Sequence, residues 1–507
     1  MSTRGGGDMA VVTTSATPLR DLVQPQLSDL LANMAKGSST NGWDAVTSYS
    51  ITALNGVLAA SYHAGSLAKE LKFSVTRTDP ISLKAFTVDY DVTLGAPALQ
   101  FVGGQSGVAT VNMPIVGGNA TITPAGETGY TKALPTGYSV VANVPLAALT
   151  GDGQITTAGN VVTFAHPDDT AHIVLHFKSG QGSGTTFEIE PVPDPTNEDV
   201  MVTYFVPLIQ QYFAQQVNEL DYALTGVTPK AAAGEIVIEP KTFVFASDTD
   251  VLSLYLMTTN SSGVSGNIHP SFQPGGVEML PIPAGHTASV ILAQELVRKI
   301  YVDPALTALG RVEDDESVPG GIRLRLYRDL PSLEYNASGG SYQKLAIDTL
   351  RVDFSQLPYQ LKFVDNTFAV SWSFSQSLRW TTDDIDPSTH DDQTERGTTT
   401  VYASLPEQTV QLTASGDDVS LTFSIHTDDY HISADGPTGW FSDGDMVQGK
   451  LTSFLQGNAP VGFTFAFGSL NYFTAANLLF PNSHKFQVDA TAGINIPCDL
   501  LILGQIG

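Results

Sequence analysis

The feature that most restricts this chain is a long succession of alternating apolar and polar residues, cut at intervals by turn formers. "LKFSVTR" (71–77), "AFTVDYDVTL" (85–94), "GVATVNMPIV" (107–116), "NATITP" (119–124), "YSVVANVPL" (138–146), "NVVTFA" (160–165), "AHIVLHFK" (171–178) and "TFEIEPV" (186–192) follow one another, separated by Gly, Pro and Asn. A period of two sends successive side chains to opposite faces, so these segments read as long strands with one buried and one wet face. This is not the strand–helix rhythm of a doubly wound enzyme. No fixed period of roughly 20–50 residues marks a repeat array.

Helical periodicity interrupts at three places. The stretch "NGWDAVTSYSITALNGVLAASY" (41–62) opens as a strand, with Trp43, Ala45, Thr47 and Tyr49 alternating with Asp44, Val46, Ser48 and Ser50. Ser50 can cap a helix whose Ile51, Leu54, Val57 and Leu58 share one face, with Gly65 near its end. A second helix is expected over 206–224, with Pro207 in its first turn and Ile209, Phe213, Val217, Leu220 and Leu224 as its stripe. A third is expected over 288–309, where Val290, Ala293, Leu296, Val297 and Ile300 share a face and Pro304 stops or kinks it. Further strands are read at 234–246 and 251–258, and β pattern resumes from Gly320 to the C-terminus. Residues 1–38 read as a polar tail with a short helix near Leu22–Met34. The expected fold class is therefore α+β, mostly β: long curved antiparallel sheets, each wrapped around a long amphipathic helix. The expected division is a first module over 39–230 and a second over 231–507. The interior of such a unit is either a solid core or a groove.

Charge narrows the function. The 507 residues carry 24 Lys and Arg against 51 Asp and Glu, a formal charge of −27. Nucleic-acid binding needs a basic footprint, so none is expected. A local basic patch still acts at short range, because distant charges are screened within about 8–10 Å. The strand "GIRLRLYRD" (321–329) offers one, with Arg323 and Arg325 on one face and Arg328 following. The plainer reading is a solvent-facing strand edge balanced by "EDDE" (313–316). The one cysteine, Cys498, allows no intramolecular disulfide and no cysteine zinc site. The N-terminus lacks a signal-peptide h-region, and no apolar window is long enough to span a bilayer as a helix. The expected location is the cytoplasm until release, or outside by a non-classical secretion route.

Catalytic signatures are weak. No G-x-S-x-G occurs. Gly444–Thr452 approaches a P-loop, but Leu451 stands where Ser or Thr would bind magnesium, so a plain loop leading into a helix is the better reading. "TTDDIDPSTHDDQTE" (381–395) lacks the spacing of a calcium loop and reads as a solvated hairpin turn. In "HTDDYHISADG" (426–436) a strand would send His426 and Asp428 one way and Asp429 and His431 the other, which does not converge on a metal. No carboxylate pair is singled out for hydrolysis. No enzyme, cofactor, metal site or catalytic residue is expected, and a β-rich hydrolase is the weaker alternative.

The two ends of the chain carry a resemblance. "NGWDAVTSYSITALNGVL", with Gly42, Trp43, Asp44 and Leu54-Asn55, is similar to the N-terminal signature of the clostridial forty-seven-kilodalton and OrfX proteins of neurotoxin gene clusters, which have relatives in insect-active toxin loci. "NLLFPNSHKFQVDATAGINIPCDLLILGQI" (477–506) resembles that family's close, with Leu478-Leu479-Phe480-Pro481 and the Pro497, Asp499, Leu500 element. The resemblance implies a TULIP (tubular lipid-binding) fold and no catalytic residue. It implies a lipid partner, phosphoinositides among them, and a second protein of a bacterial, insecticidal-type toxin system. On that basis Trp43, Ile51, Leu54, Val57, Leu58, Ile209, Phe213, Val217, Leu220, Val290, Leu296, Val297 and Ile300 are candidate groove residues. Arg323, Arg325 and Arg328 are candidate headgroup contacts. The alternative is a closed-core scaffold of the same fold that acts through protein–protein contacts in a toxin complex. Asp44 is expected to be a local hydrogen-bonding or capping group and Trp43 a packing anchor.

Overall fold

The computed structural model describes residues 24–507 apart from 80, 104, 179–183, 193–204, 232–237, 262–265, 267–271, 308–309, 315–321, 329–332, 336–342, 349, 353–358, 365–366, 386–391, 412, 416–417, 422–430, 436–443, 459–464, 467–469 and 471. Helix α1 (Leu27–Met34) precedes β1 (Ala45–Ser50), which runs directly into α2 (Ile51–Ala64). Strands β2 (Glu70–Thr78), β3 (Ala85–Leu94), β4 (Val108–Pro124), β5 (Tyr130–Ala133), β6 (Ser139–Thr150) and β7 (Ala171–Leu175) follow, then α3 (Val206–Gln216) and β8 (Ala223–Val227). Next come β9 (Pro240–Asp248), β10 (Val251–Thr258), β11 (Ala288–Leu292), α4 (Gln294–Val297) and α5 (Asp303–Thr307). The last part holds β12 (Gly310–Asp314), β13 (Ile322–Arg328), β14 (Tyr359–Val364), β15 (Thr367–Ile385), β16 (Asp392–Gln411), β17 (His431–Asp435), α6 (Gly444–Asn458) and β18 (Leu500–Ile506). Several shorter strands lie between them.

These strands form three large antiparallel sheets. The N-terminal sheet runs β2-β3-β4-β6-β7-β8, the central sheet β18-β11-β1-β10-β9, and the C-terminal sheet β12-β13-β14-β15-β16-β17. The fold is α+β and mostly β, as its alternation implied, with sheet curled into a half-barrel. The central sheet draws strands from both sides of residue 230.

The opening signature lies in the middle of that sheet. β1 is hydrogen-bonded to β10 on one side and β11 on the other, and all six of its residues are buried. Ala45 and Tyr49 face the main core, while Val46 faces a second core made with Leu30 and Met34 of α1, Val244, Tyr255, Ile291 and Leu501. A strand covered on both faces needs apolar residues in both phases, which this one has. Ser50 then accepts the Ala53 N–H at 3.2 Å as the N-cap of α2, and Gly65 ends the helix at φ +84.

Curvature has a local cause in β4. Its first half pairs with β6 and its second half with β3 and β5, and the β3 register slips between Thr93 and Leu94. Gly118 sits at that bend with φ +128, where a Cβ would come within 2.3 Å of the Asp91 carbonyl. Only glycine fits, so the bulge is written into the sequence.

The helices depart from expectation in three places. α3 ends at Gln216, and Val217 is already extended. Leu220 falls in the 3₁₀ turn Glu219–Tyr222 and is 46% exposed, while Leu224 belongs to β8. Pairing of 223–227 with β7 claims those backbone groups for a sheet. Val290 lies on β11, because Ala288–Leu292 pairs with β1 on one side and β18 on the other and its backbone groups are claimed by the central sheet. The helix there begins only at Gln294. Pro304 does not stop it: a π turn at Arg298–Val302 bridges α4 and α5, so the wider i→i+5 bonding leads into the proline.

The third departure is where α6 begins, since a loop leading into a helix was expected over Gly444–Thr452, within a region otherwise read as β. Gly444–Thr452 is helical throughout, and Val447, Leu451 and Leu455 are buried at i, i+4 and i+8. Leu451 is therefore a core residue, not a phosphate-loop position. In "TTDDIDPSTHDDQTE", Thr381–Ile385 ends β15 and Asp392–Glu395 begins β16, and residues 386–391 lie outside the described set. His426, Asp428 and Asp429 also lie outside it, while His431 begins β17.

Candidate functional site

The concave face of the N-terminal sheet holds two helical stripes. Leu54, Val57 and Leu58 of α2 are fully buried and Ile51 is half-buried against the same core. Asn55 fixes this helix to the sheet. Its amide donates to the Leu99 carbonyl at 3.0 Å and accepts the Leu99 N–H at 2.6 Å. The Leu54-Asn55 pair of the signature is thus a packing residue beside a backbone clamp.

α3 enters an aromatic nest. Phe205 packs on Phe73 and Tyr90 at 5.7 and 5.6 Å between ring centres. Phe213 packs on Phe177 and Phe187 at 4.8 and 5.5 Å, and Phe177 meets Tyr222 at 4.9 Å. Ile209 and Phe213 have no exposed surface. Such pairs add about 0.5–1.5 kcal/mol each beyond their burial, so this part of the interior is a solid core. Burial also pushes the Tyr222 phenol well above its ordinary range. Val217 closes the end of this nest and remains buried, but Leu220 points away from it.

Farther from α2, the apolar face continues with less cover. Along β2, Leu71 is fully buried, Phe73 and Val75 are half-buried and Arg77 is exposed. Along β3, Val88 is buried and Phe86 half-buried. Ile122 of β4 lies opposite Val88 and is half-buried, and Tyr130 of β5 lies opposite Ile122 and is 59% exposed. These residues share the concave phase. Together they form a partly covered apolar strip, continuous with the core, along the strands of the curl. The helical stripes do not reveal it. The signal was present in the strands, where alternation runs past the end of the helical stripe.

The remaining groove candidates divide. Leu296, Val297 and Ile300 sit in the main core, as does Val290, though on a strand. Trp43 lies in the second core with Tyr255, their ring centres 6.5 Å apart. Alternation placed Trp43 with Tyr49. The strand begins only at Ala45, after a turn with Asn41 at φ +54 and Gly42 at φ +81, and that turn sends the indole to the other face. It is a packing anchor outside the curl.

The headgroup candidates do not form one cluster. Arg323 and Arg325 share the outer face of β13, opposite buried Leu324, whereas Arg328 falls in the other phase of the strand. β13 is not an edge, since β12 and β14 flank it. Arg325 pairs across with Glu313, and Arg323 with Lys362. Glu313 also meets Arg311 at 3.1 Å, and Lys362 is bonded to Glu407. The patch is basic but already threaded with carboxylates.

Two carboxylates, Asp44 half-buried and Asp499 fully buried, hold one end of the central sheet. Asp44 accepts the N–H and the hydroxyl of Thr258 at 2.7 and 2.8 Å, the local bonding role expected of it. Asp499 accepts from Ser38, Ser39 and the Gln294 N–H, and burial pushes its carboxyl well above the usual carboxylate range. Among the described residues no group of three or more His, Cys, Asp or Glu is placed to hold a metal ion, and no helix is long and apolar enough to cross a membrane.

Curled antiparallel sheet enclosing helices, joined through a shared central sheet, gives the layout of a tubular sheet–helix protein. Three solved structures align with the chain along most of its length. P47 from Clostridium botulinum A2 aligns over 92% of this chain and 98% of its own, at 14% identity and a TM-score of 0.47. P47 of Clostridium botulinum E1 aligns over 92% and 99%, at 12% identity and 0.47. A lipopolysaccharide binding protein aligns over 92% and 99%, at 11% identity and 0.29. No family model matches the chain, and no curated protein matches it.

Proposed function

We propose that this protein is a non-enzymatic lipid-binding protein whose acyl-chain site is the partly covered apolar strip of the N-terminal curl. One observation carries the reading: the apolar concave face outruns the aromatic nest of α3, leaving Val75, Phe86 and Ile122 half-buried beside exposed Tyr130. A buried methylene contributes about 0.8 kcal/mol, so about ten carbons laid along the strip would gain about 8 kcal/mol before ordering costs. That suffices for micromolar affinity after those costs. The outer-face patch of Arg323, Arg325 and Lys362 is the proposed contact for a phosphoinositide headgroup. The resemblance at the two ends of the chain supports a role as accessory or component of a bacterial, insecticidal-type toxin system with a second protein partner.

A second reading is favoured by a different observation. The aromatic nest around α3 fills its part of the interior, as a closed scaffold working through protein–protein contacts in a toxin complex would require. Native mass spectrometry with lipid extraction separates the two. The lipid reading expects co-purifying lipid that Ile122→Arg removes while the fold is kept. Protein that carries no lipid and takes none from liposomes would leave the scaffold standing alone. Leu58 and Phe213 are unsuitable positions for such a charge, because both are fully buried and an arginine there would unfold the curl.

A further inference from the structure

We propose that the turn joining β2 to β3 is a membrane-insertion element that seats the distal end of the N-terminal curl in the interface of an anionic lipid bilayer. Ile81 is 92% exposed and Leu83 77% exposed at this turn. Both stand beside Asp79, whose hydrogen bonds tie the described residues of the turn together. The Asp79 carboxylate accepts the N–H groups of Ile81 and Ser82 at 2.8 and 2.7 Å. The Leu83 N–H reaches the Asp79 carbonyl, and the Asp79 N–H reaches the Lys84 carbonyl, both at 2.9 Å. Leu83 also stands at φ +56, a conformation in which asparagine or glycine is the undemanding choice. A large aliphatic side chain there carries two costs at once, left-handed backbone and exposed apolar surface. Folding gains nothing from either.

The surroundings select a bilayer as the occupant. Arg77 and Lys84 flank the turn, and Lys132 lies on β5 beside exposed Tyr130. Two carboxylates lie among them, Asp79 bonded to the turn and Glu127 paired with Lys84 at 3.3 Å, so the three cations exceed the acids by one. In a chain of charge −27, cations grouped about an aliphatic tip with an aromatic neighbour form the arrangement that anchors at lipid headgroups. Two protruding side chains are far short of the roughly 800 Å² per partner that a stable protein interface needs. They suffice for insertion into a lipid interface.

This element is independent of whether the interior takes lipid, and the test keeps the two apart. Full-length protein is floated with phosphatidylcholine–phosphatidylserine vesicles, and its co-purifying lipid is measured in parallel. The expected result is vesicle binding that weakens with salt. Ile81→Ser with Leu83→Asn should lower the partition coefficient at least about ten-fold, with Tm equal to or above that of the wild type and interior lipid unchanged. Leu83→Trp should show a blue-shifted emission component on vesicle addition. The proposal is overturned if the wild type binds no vesicles, if the double variant partitions like the wild type, or if light scattering shows a wild-type dimer that the double variant dissolves. Loss of interior lipid alone, with vesicle binding intact, would strike the reading of the strip and leave the tip standing.

Discussion

The carboxylate of Asp499 accepts the backbone N–H of Ser39 at 2.7 Å, across 460 positions of sequence. The same side chain accepts the Gln294 N–H at 3.0 Å. One buried group therefore ties the segment before β1, the start of α4 and the start of β18. Asp499→Ala would leave two buried N–H groups without their acceptor, at about 1–3 kcal/mol each. A loss of about 3 kcal/mol is expected, read as a lowered urea midpoint. A change below about 0.5 kcal/mol would show that the contact does not bear on stability.

Asp499 also gives a pH signature. Burial raises its carboxyl pKa, so across the window between the ordinary carboxylate range and the raised value the folded chain holds a proton that the unfolded chain has released. Stability should fall as pH rises through that window. Asp499→Asn should flatten this part of the profile, and parallel urea profiles for the two proteins would refute the assignment.

Glu219 should do the opposite. Burial alone would raise its pKa, but the bond to His176 at 2.5 Å and the charge of that ring outweigh burial and hold it below the usual range. Its contribution is present above the ordinary carboxylate pKa and is lost as pH falls through the lowered value. Glu219→Gln is expected to cost about 1–3 kcal/mol at neutral pH. It should make no difference once the wild-type carboxyl is protonated. The check is a denaturation series taken from neutral into acid.

Gly118→Ala should destabilise by about 1–3 kcal/mol, since it adds a Cβ at φ +128 against the Asp91 carbonyl. Hydrogen exchange should locate the loosening in β3 and β4. Uniform protection with no local change would mean the bend does not depend on this glycine.

Asn55→Ala removes both bonds to Leu99 and is expected to cost about 1–2 kcal/mol, with faster exchange at the Leu99 amide. Asn55→Asp keeps an acceptor and loses the donor, so it should fall between the two.

Local chemistry was legible in the sequence where the cause was local. Ser50 and Gly65 marked the ends of α2, and alternation marked the strands of the N-terminal sheet. Val290 and Leu224 were assigned to helices because short runs fit both periods until their pairing partners are known. The first turns of α6 were read as loop because the helix carries only Val447, Leu451 and Leu455 among glycines and polar groups. The face of Trp43 depended on a turn at Asn41-Gly42 that alternation cannot see. The half-buried strip at Phe86 and Ile122 was hidden for another reason: how far a helix covers an alternating strand depends on packing between segments distant in sequence.

The position of β1 has a consequence for how the chain is made. Its Ser48 meets Ser253 of β10, 205 residues later, at 2.8 Å. At about 5–20 residues per second, a ribosome needs on the order of ten to forty seconds to supply that partner. During this interval a strand destined for complete burial has emerged without either neighbour. The capped helix α2 can form at once, but the signature strand must wait exposed. Nascent chains of this protein should therefore depend on chaperone capture early in synthesis, and slowing translation should increase aggregation before it affects the finished molecule.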